Sequence, residues 1–100
     1  MTIYLEVEKT REEEIAKVES RILADYPLNR FISDCSVMCT IMSYERPFED
    51  AMLYNDYINE KISKDEYNRA ISKLYLNALK SISDKEYSLC VKLTRTRYEA

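Results

Sequence analysis

The sequence predicts a mainly α-helical fold, a small bundle of four to five helices within a single domain of 100 residues. Three observations lead to this fold class. The chain contains no glycine, the residue that tight hairpins and left-handed turns ordinarily require. The helix-starting pattern Ser/Thr-x-x-Glu occurs with good context in three places. Apolar residues recur at helical spacing along most of the chain.

The first segment is the exception to the helical pattern. Ile3, Leu5 and Val7 alternate with polar or amphipathic residues, and this period of two predicts a strand over residues 2–8. A lone strand leaves its backbone hydrogen-bonding groups unpaired at both edges. We therefore expect the strand to pair with the C-terminal segment, with a second copy of the chain or with a partner.

The first helix is predicted to begin at Arg11. Thr10 and Glu13 have the spacing of a capping box, in which each side chain bonds the backbone N–H of the other residue. Pro27 disfavours a helical conformation for Tyr26, so the helix should end near that point.

The middle of the chain carries two patterns. Apolar spacing over residues 28–45 predicts a helix, while the alternation over residues 36–44 also fits a strand. Its length and the lack of glycine favour the helix. Pro47 is expected in the first turn of the next helix, where its missing N–H has no cost. In that helix Phe48, Met52 and Ile58 recur at helical spacing.

Two further capping boxes, at residues 63–66 and 83–86, predict helix starts at Lys64 and Asp84. The helix after the first of them has the clearest amphipathic stripe of the chain. The stripe consists of Tyr67, Ala70, Ile71, Leu74, Ala78 and Ile82.

The C-terminal stretch fits both a helix and a strand. Over residues 88–96 apolar positions satisfy helical spacing, but they also alternate. A strand there would pair with residues 2–8 and set lysine and arginine against glutamate across the ladder. We leave both alternatives open from the sequence.

Charge is divided unevenly along the chain, whose net charge is −3. Residues 1–60 hold 13 acidic and 6 basic side chains, a net of −7, and residues 61–100 hold 5 acidic and 9 basic ones, a net of +4. The two halves can neutralise each other within one fold. Alternatively, one of them meets a charged partner or the opposite half of a second copy.

Several classes of function lack the residues that they need. Without histidine there is no Ser–His or Cys–His nucleophile pair, and without glycine there is no phosphate-binding loop. Cys35, Cys39 and Cys90 are too few for a four-ligand zinc site and give no disulfide framework. We expect no catalysis, no cofactor and no bound metal. With no long apolar run and no signal sequence, we expect a cytoplasmic protein that does not enter a membrane.

The sequence therefore favours a non-catalytic protein-binding module, such as an adaptor, a regulator or a small inhibitor of the accessory kind that viruses and mobile elements encode. Acidic residues concentrate between residues 45 and 60, with two tyrosines among them. This segment predicts a surface for a basic partner, since charge steers encounter and tyrosine supplies apolar area. The tyrosine content and the lone strand also predict a homodimer. The candidate binding residues are Glu45, Glu49, Asp50, Tyr54, Asp56, Tyr57 and Glu60.

The alternative is a helical oligomer that binds a ligand or a nucleic acid through the C-terminal half. Basic and aromatic residues occur together there, as they do in nucleic-acid-binding modules. The isoelectric point of about 5.0 argues against a polyanion as the partner. The candidate residues are Lys92, Arg95, Arg97 and Tyr98.

Overall fold

Five α-helices make up the fold in the computed structural model, which describes residues 10–26 and 37–99. The helices are α1 Arg11–Leu23, α2 Val37–Glu45, α3 Pro47–Ile58, α4 Lys64–Ser81 and α5 Asp84–Glu99. The prediction of a mainly helical bundle is confirmed. The strand predicted over residues 2–8 lies outside the described residues.

The three predicted helix starts are confirmed at Arg11, Lys64 and Asp84. In every capping box the hydroxyl accepts a hydrogen bond from the backbone N–H of the glutamate three residues later, at 3.0–3.1 Å. The glutamate in turn accepts from the backbone N–H of the capping residue, at 2.9–3.1 Å. Pro47 occupies the first turn of α3, as expected.

Helix is the outcome in both stretches where the sequence also fitted a strand. The stretch predicted as helix over residues 28–45 is helical from Val37 onward, and its earlier part lies outside the described residues. Residues 88–96 belong to α5, so the strand alternative is not formed there. The reason is tertiary packing: Tyr87, Cys90 and Thr94, at helical spacing, are all buried.

Two helices end on residues with left-handed backbone conformation, although neither residue is glycine. Asp25 follows α1 with φ of 61°, and Glu60 follows α3 with φ of 59°. At each end the two hydrogen bonds of a Schellman motif close the last turn. Their lengths are 3.1 and 2.8 Å after α1 and 3.1 and 2.9 Å after α3.

Helix α4 is the central element of the bundle, because α1, α2 and α3 all pack against it, while α5 packs mainly on α2. The predicted α4 stripe faces this core: Tyr67, Ile71, Ala78 and Ile82 are buried, and Leu74 is partly buried. From the other helices the core receives Val18, Val37, Met38, Ile41, Met42, Tyr87 and Cys90.

A buried pair of threonines joins α2 to α5. The Thr94 hydroxyl donates to the carbonyl oxygen of Cys90 at 2.8 Å. Because a hydroxyl has only one hydrogen to donate, Thr40 is the donor in its 2.6 Å hydrogen bond with Thr94. Both hydroxyls thus act as donors, Thr40 to Thr94 and Thr94 to the Cys90 carbonyl oxygen.

None of the helices in the described residues is both long enough and apolar enough to cross a lipid bilayer.

Candidate functional site

The predicted acidic surface divides into buried and exposed parts. Asp50 is only 8% exposed and Glu45 is half-buried. Glu49, Tyr54 and Glu60 are exposed, and Asp56 is half-buried. The structure therefore brings part of the predicted set to the solvent and turns Asp50 toward the interior.

The two tyrosines of the predicted site pack against α4. The rings of Tyr57 and Tyr67 are stacked, with centroids 5.2 Å apart. The ring of Tyr54 meets Tyr67 edge-on at 6.4 Å, and 44% of Tyr54 remains exposed. Tyr54 is therefore available to a partner only in part, and Tyr57 mainly attaches α3 to the bundle.

An apolar surface that the sequence did not assign to binding covers the outer side of α3. Phe48 is 72% exposed, Met52 54% and Ile58 51%. Their helical spacing predicted the helix, yet α3 packs against the bundle through Leu53 and Tyr57 instead. These three residues are named the α3 outer face below. Exposed clusters of large apolar side chains are typical of interaction sites in soluble proteins.

Two carboxylates border this face. Met52 lies three residues after Glu49 and four before Asp56, so both carboxylates are its neighbours on the helix surface. Glu49 is 3.8 Å from Arg46, which also contacts Glu45 and donates to the Ser81 hydroxyl at 2.8 Å. Asp56 has no ion pair with any other residue in the described part of the chain. Glu49 and Asp56 are named the acidic edge.

The residues of the alternative site lie on α5, in the basic half of the sequence. Lys92 and Arg95 are exposed on this helix. Arg97 and Tyr98 fall within α5, and their side chains lie outside the described part of the structure. Leu89 and Leu93, each about half exposed at 51% and 50%, lie on the same helix. α5 therefore presents apolar and basic groups together.

A side-chain hydrogen bond links the end of α2 to the start of α5. The Tyr44 hydroxyl donates to the Glu86 carboxylate at 2.5 Å. This bond lowers the pKa of Glu86, and its capping contacts with Ser83 lower it further. The same bond and the charge of Glu86 raise the pKa of Tyr44. Glu86 stays ionised and serves both as a cap and as an anchor for α2.

One carboxylate is buried between α1 and α4. Glu14 is 4% exposed, accepts a hydrogen bond from the Tyr75 hydroxyl at 2.6 Å and lies 3.2 Å from the Lys17 ammonium. Burial raises the pKa of Tyr75, and the negative charge of Glu14 adds to the effect. Because Tyr75 is 1% exposed, we interpret the pair as structural: it fixes how α1 sits on α4.

Two ion pairs among the described residues join an acidic side chain of the first half to a basic one of the second. Arg69 of α4 pairs with Asp25, and Lys80 lies 3.3 Å from Glu19. The Arg69 guanidinium lowers the pKa of Asp25 by hydrogen bonding and by its charge. Part of the uneven charge along the chain is thus neutralised inside the fold.

A polar cleft of about 200 Å³ lies between α1 and α4, lined by Ile22, Asp25, Arg69, Ser72 and Lys73. Its principal charges, Asp25 and Arg69, already bond each other. Within the described ranges no group of three metal-ligating side chains comes together. The main charges of the cleft are therefore already used within the fold, and the α3 outer face is the stronger candidate for a functional site.

Comparison with protein-family models, with curated proteins and with solved structures finds no significant match to this chain. Its function must therefore be inferred from its own surfaces.

Proposed function

We propose that this protein is a non-catalytic protein-binding module that engages its partner through the α3 outer face and the acidic edge. An adaptor, a regulator or a small inhibitor would all work in this way. The function needs no cofactor and no catalytic turnover.

The observation that carries the proposal is the exposure of Phe48, Met52 and Ile58 on one side of a single helix. Water contact with large apolar groups is unfavourable, and a partner that covers them gains about 25 cal/mol for each Å² removed from water. Phenylalanine and methionine are enriched at protein interfaces relative to the rest of the surface. Tyr54, partly exposed on α3, extends the same apolar area.

The acidic edge indicates the charge of the partner. Asp56 has no ion pair in the described part of the chain, and Glu49 has only a long one to Arg46. A basic surface placed beside these carboxylates would supply the missing counter-charges. Because such charges sit at the rim, they should speed association and set its orientation more than they raise the final affinity.

The experiment is an affinity capture from a lysate of the native host, followed by mass spectrometry and measurement of association rates with the captured protein. We compare the wild type with Met52→Asp and with the double reversal Glu49→Lys, Asp56→Lys. We expect the first variant to lose capture. The second should slow association at least about tenfold and remove most of its salt dependence.

A matched control reverses two exposed carboxylates outside α3, one in α1 and one in α4, by Glu12→Lys with Asp65→Lys. This variant has the same total charge as the α3 double reversal. It should bind like the wild type, provided circular dichroism shows that it is folded. If Met52→Asp captures the same proteins as the wild type, the proposed function is wrong.

A further inference from the structure

The outer side of α5, like that of α3, exposes large apolar side chains beside charged ones, but the charges beside them are basic. Leu89 and Leu93 are about half exposed, at 51% and 50%. Lys85 and Lys92 are exposed, and neither forms an ion pair with another described residue. Leu89 and Leu93 are named the α5 outer face, and Lys85 and Lys92 the basic edge.

The charges on the two helices have matching spacing. Glu49 and Asp56 are seven residues apart, as are Lys85 and Lys92. Seven residues correspond to about two turns and about 10.5 Å along a helix. Two ion pairs can therefore form at the same time when the helices lie side by side.

The apolar residues match as well. Phe48 and Met52 are four residues apart on α3, and Leu89 and Leu93 are four apart on α5. Side chains four apart form one ridge on a helix surface, and such ridges pack into the grooves of a facing helix.

The position of each charged edge fixes the relative direction of the helices. Met52 lies three residues after one carboxylate and four before the other, whereas Leu89 lies four residues after one lysine and three before the other. Because the order is reversed, when each helix is viewed from its N-terminus the acidic edge lies on one side of the α3 outer face, and the basic edge lies on the other side of the α5 outer face. Opposite edges meet when two facing helices run parallel, as the e and g positions do in parallel coiled coils.

We propose that a second copy of this chain is a partner of the α3 outer face, and that the α5 outer face of that copy packs parallel to it. The inference rests on the proposed function, because it names the basic surface that α3 binds. Both faces are exposed to solvent within one molecule, so their contact joins two molecules. Two α3 faces would suit each other less, since neither has a basic edge.

The contact is heterologous, since different surfaces of the two copies meet. It closes into a dimer if two such contacts form at once, and otherwise it extends into a ring or a chain. One helix pair is small for a specific interface, so we expect weak association, visible over about 5 to 500 µM.

The test uses two variants that each remove one side of the contact, Met52→Asp on α3 and Leu89→Asp on α5. Analytical ultracentrifugation of the wild type should show species heavier than 11.9 kDa that grow with concentration. Each variant alone should stay monomeric. An equimolar mixture should form a one-to-one dimer, because the intact α5 of the first variant meets the intact α3 of the second.

A control variant, Leu23→Asp, places the same charge on α1, where Leu23 is 88% exposed. It should associate like the wild type. Charge exchange gives a second arm: Glu49→Lys with Asp56→Lys, and Lys85→Glu with Lys92→Glu, should each weaken association at least about tenfold. Mixing these two variants should restore it, since their reversed edges are complementary.

The outcomes separate this inference from the proposed function. A wild type that is monomeric throughout the concentration range overturns the second-copy contact, while α3-dependent capture of another protein would still support the proposed function. Association that persists in Leu89→Asp alone would mean that α3 meets some other surface of the second copy, and the inference would be wrong. Failure of the mixed variants to associate would also overturn it.

Discussion

Helices α3 and α4 pack against each other, but α4 buries its apolar stripe whereas α3 exposes several of its large apolar residues. The predicted stripe of α4 faces the core, with Ile71 fully buried, while Phe48 and Met52 of α3 face the solvent. The side of α3 that packs inward includes the carboxylate of Asp50. The difference teaches that helical periodicity locates a helix but does not by itself say which face the rest of the fold covers.

The two helices also differ at their ends. α4 begins with a complete capping box at Ser63, whereas α3 begins after Arg46 with Pro47 and has no side-chain cap. α3 ends at Ile58, and Glu60, two residues later, has a left-handed conformation. α4 is thus the better stabilised of the two in its packing and at its N-terminus.

The largest expected effect is seen when isoleucine is replaced by alanine in α4 and the result is compared with the same replacement in α3. Ile71→Ala should lower the free energy of unfolding by about 2–4 kcal/mol, because it leaves a cavity in the core. Ile58→Ala, at a position 51% exposed, should change it by no more than about 0.5 kcal/mol. Urea denaturation at low micromolar concentration measures both. Equal losses would mean that α3 is as deeply buried as α4, contrary to the structure.

The next effect, of intermediate size, concerns the start of α4. Ser63→Ala removes the hydroxyl that accepts from the backbone N–H of Glu66 at 3.0 Å. We expect a loss of about 1 kcal/mol in the free energy of unfolding. Ser88→Ala, an exposed serine inside α5, is the control and should be neutral or slightly stabilising. An unchanged melting curve for Ser63→Ala would contradict the capping role.

The smallest effect is a gain at the end of α3. Glu60→Gly should raise the free energy of unfolding by about 0.5 kcal/mol, since relief of left-handed strain slightly exceeds the added freedom of the unfolded chain. Asp25→Gly relieves similar strain but also removes the ion pair with Arg69, so its gain should be smaller or absent. Thermal melts of the two variants test this order, and a clear loss for Glu60→Gly would refute it.

The helix starts could be predicted because a capping box is local: four consecutive residues contain both hydrogen bonds, as at residues 63–66. The α4 stripe could be predicted because one face of that helix is continuously apolar. The left-handed Asp25 and Glu60 could not, since a chain without glycine gives no sign of where its backbone takes positive φ. The motif forms here on Asp25 and Glu60, whereas Ile82 after α4 keeps a φ of −75°.

The candidate site was predictable in part. The acidic segment of residues 45–60 pointed to α3, but the stacking of Tyr57 on Tyr67 depends on α4, which is distant in sequence, and burial of Asp50 likewise depends on tertiary packing. Exposure of the α3 outer face depends on the same packing. The sequence did hold one relevant sign: Asp50 and Phe48 lie on opposite sides of one helix, so only one of them can face inward. The apolar side would ordinarily be expected to face inward, and here it does not.

Burial of Cys90 links the chemical reactivity of its thiol to the packing of α5 on α2. The side chain is 2% exposed at the contact of α5 with α2, and desolvation raises the pKa of its thiol, an effect to which the nearby charges of Glu86 and Glu45 add. Only the thiolate reacts quickly with alkylating reagents. Modification of Cys90 must therefore wait until α5 separates from α2, and its rate records how often that separation occurs.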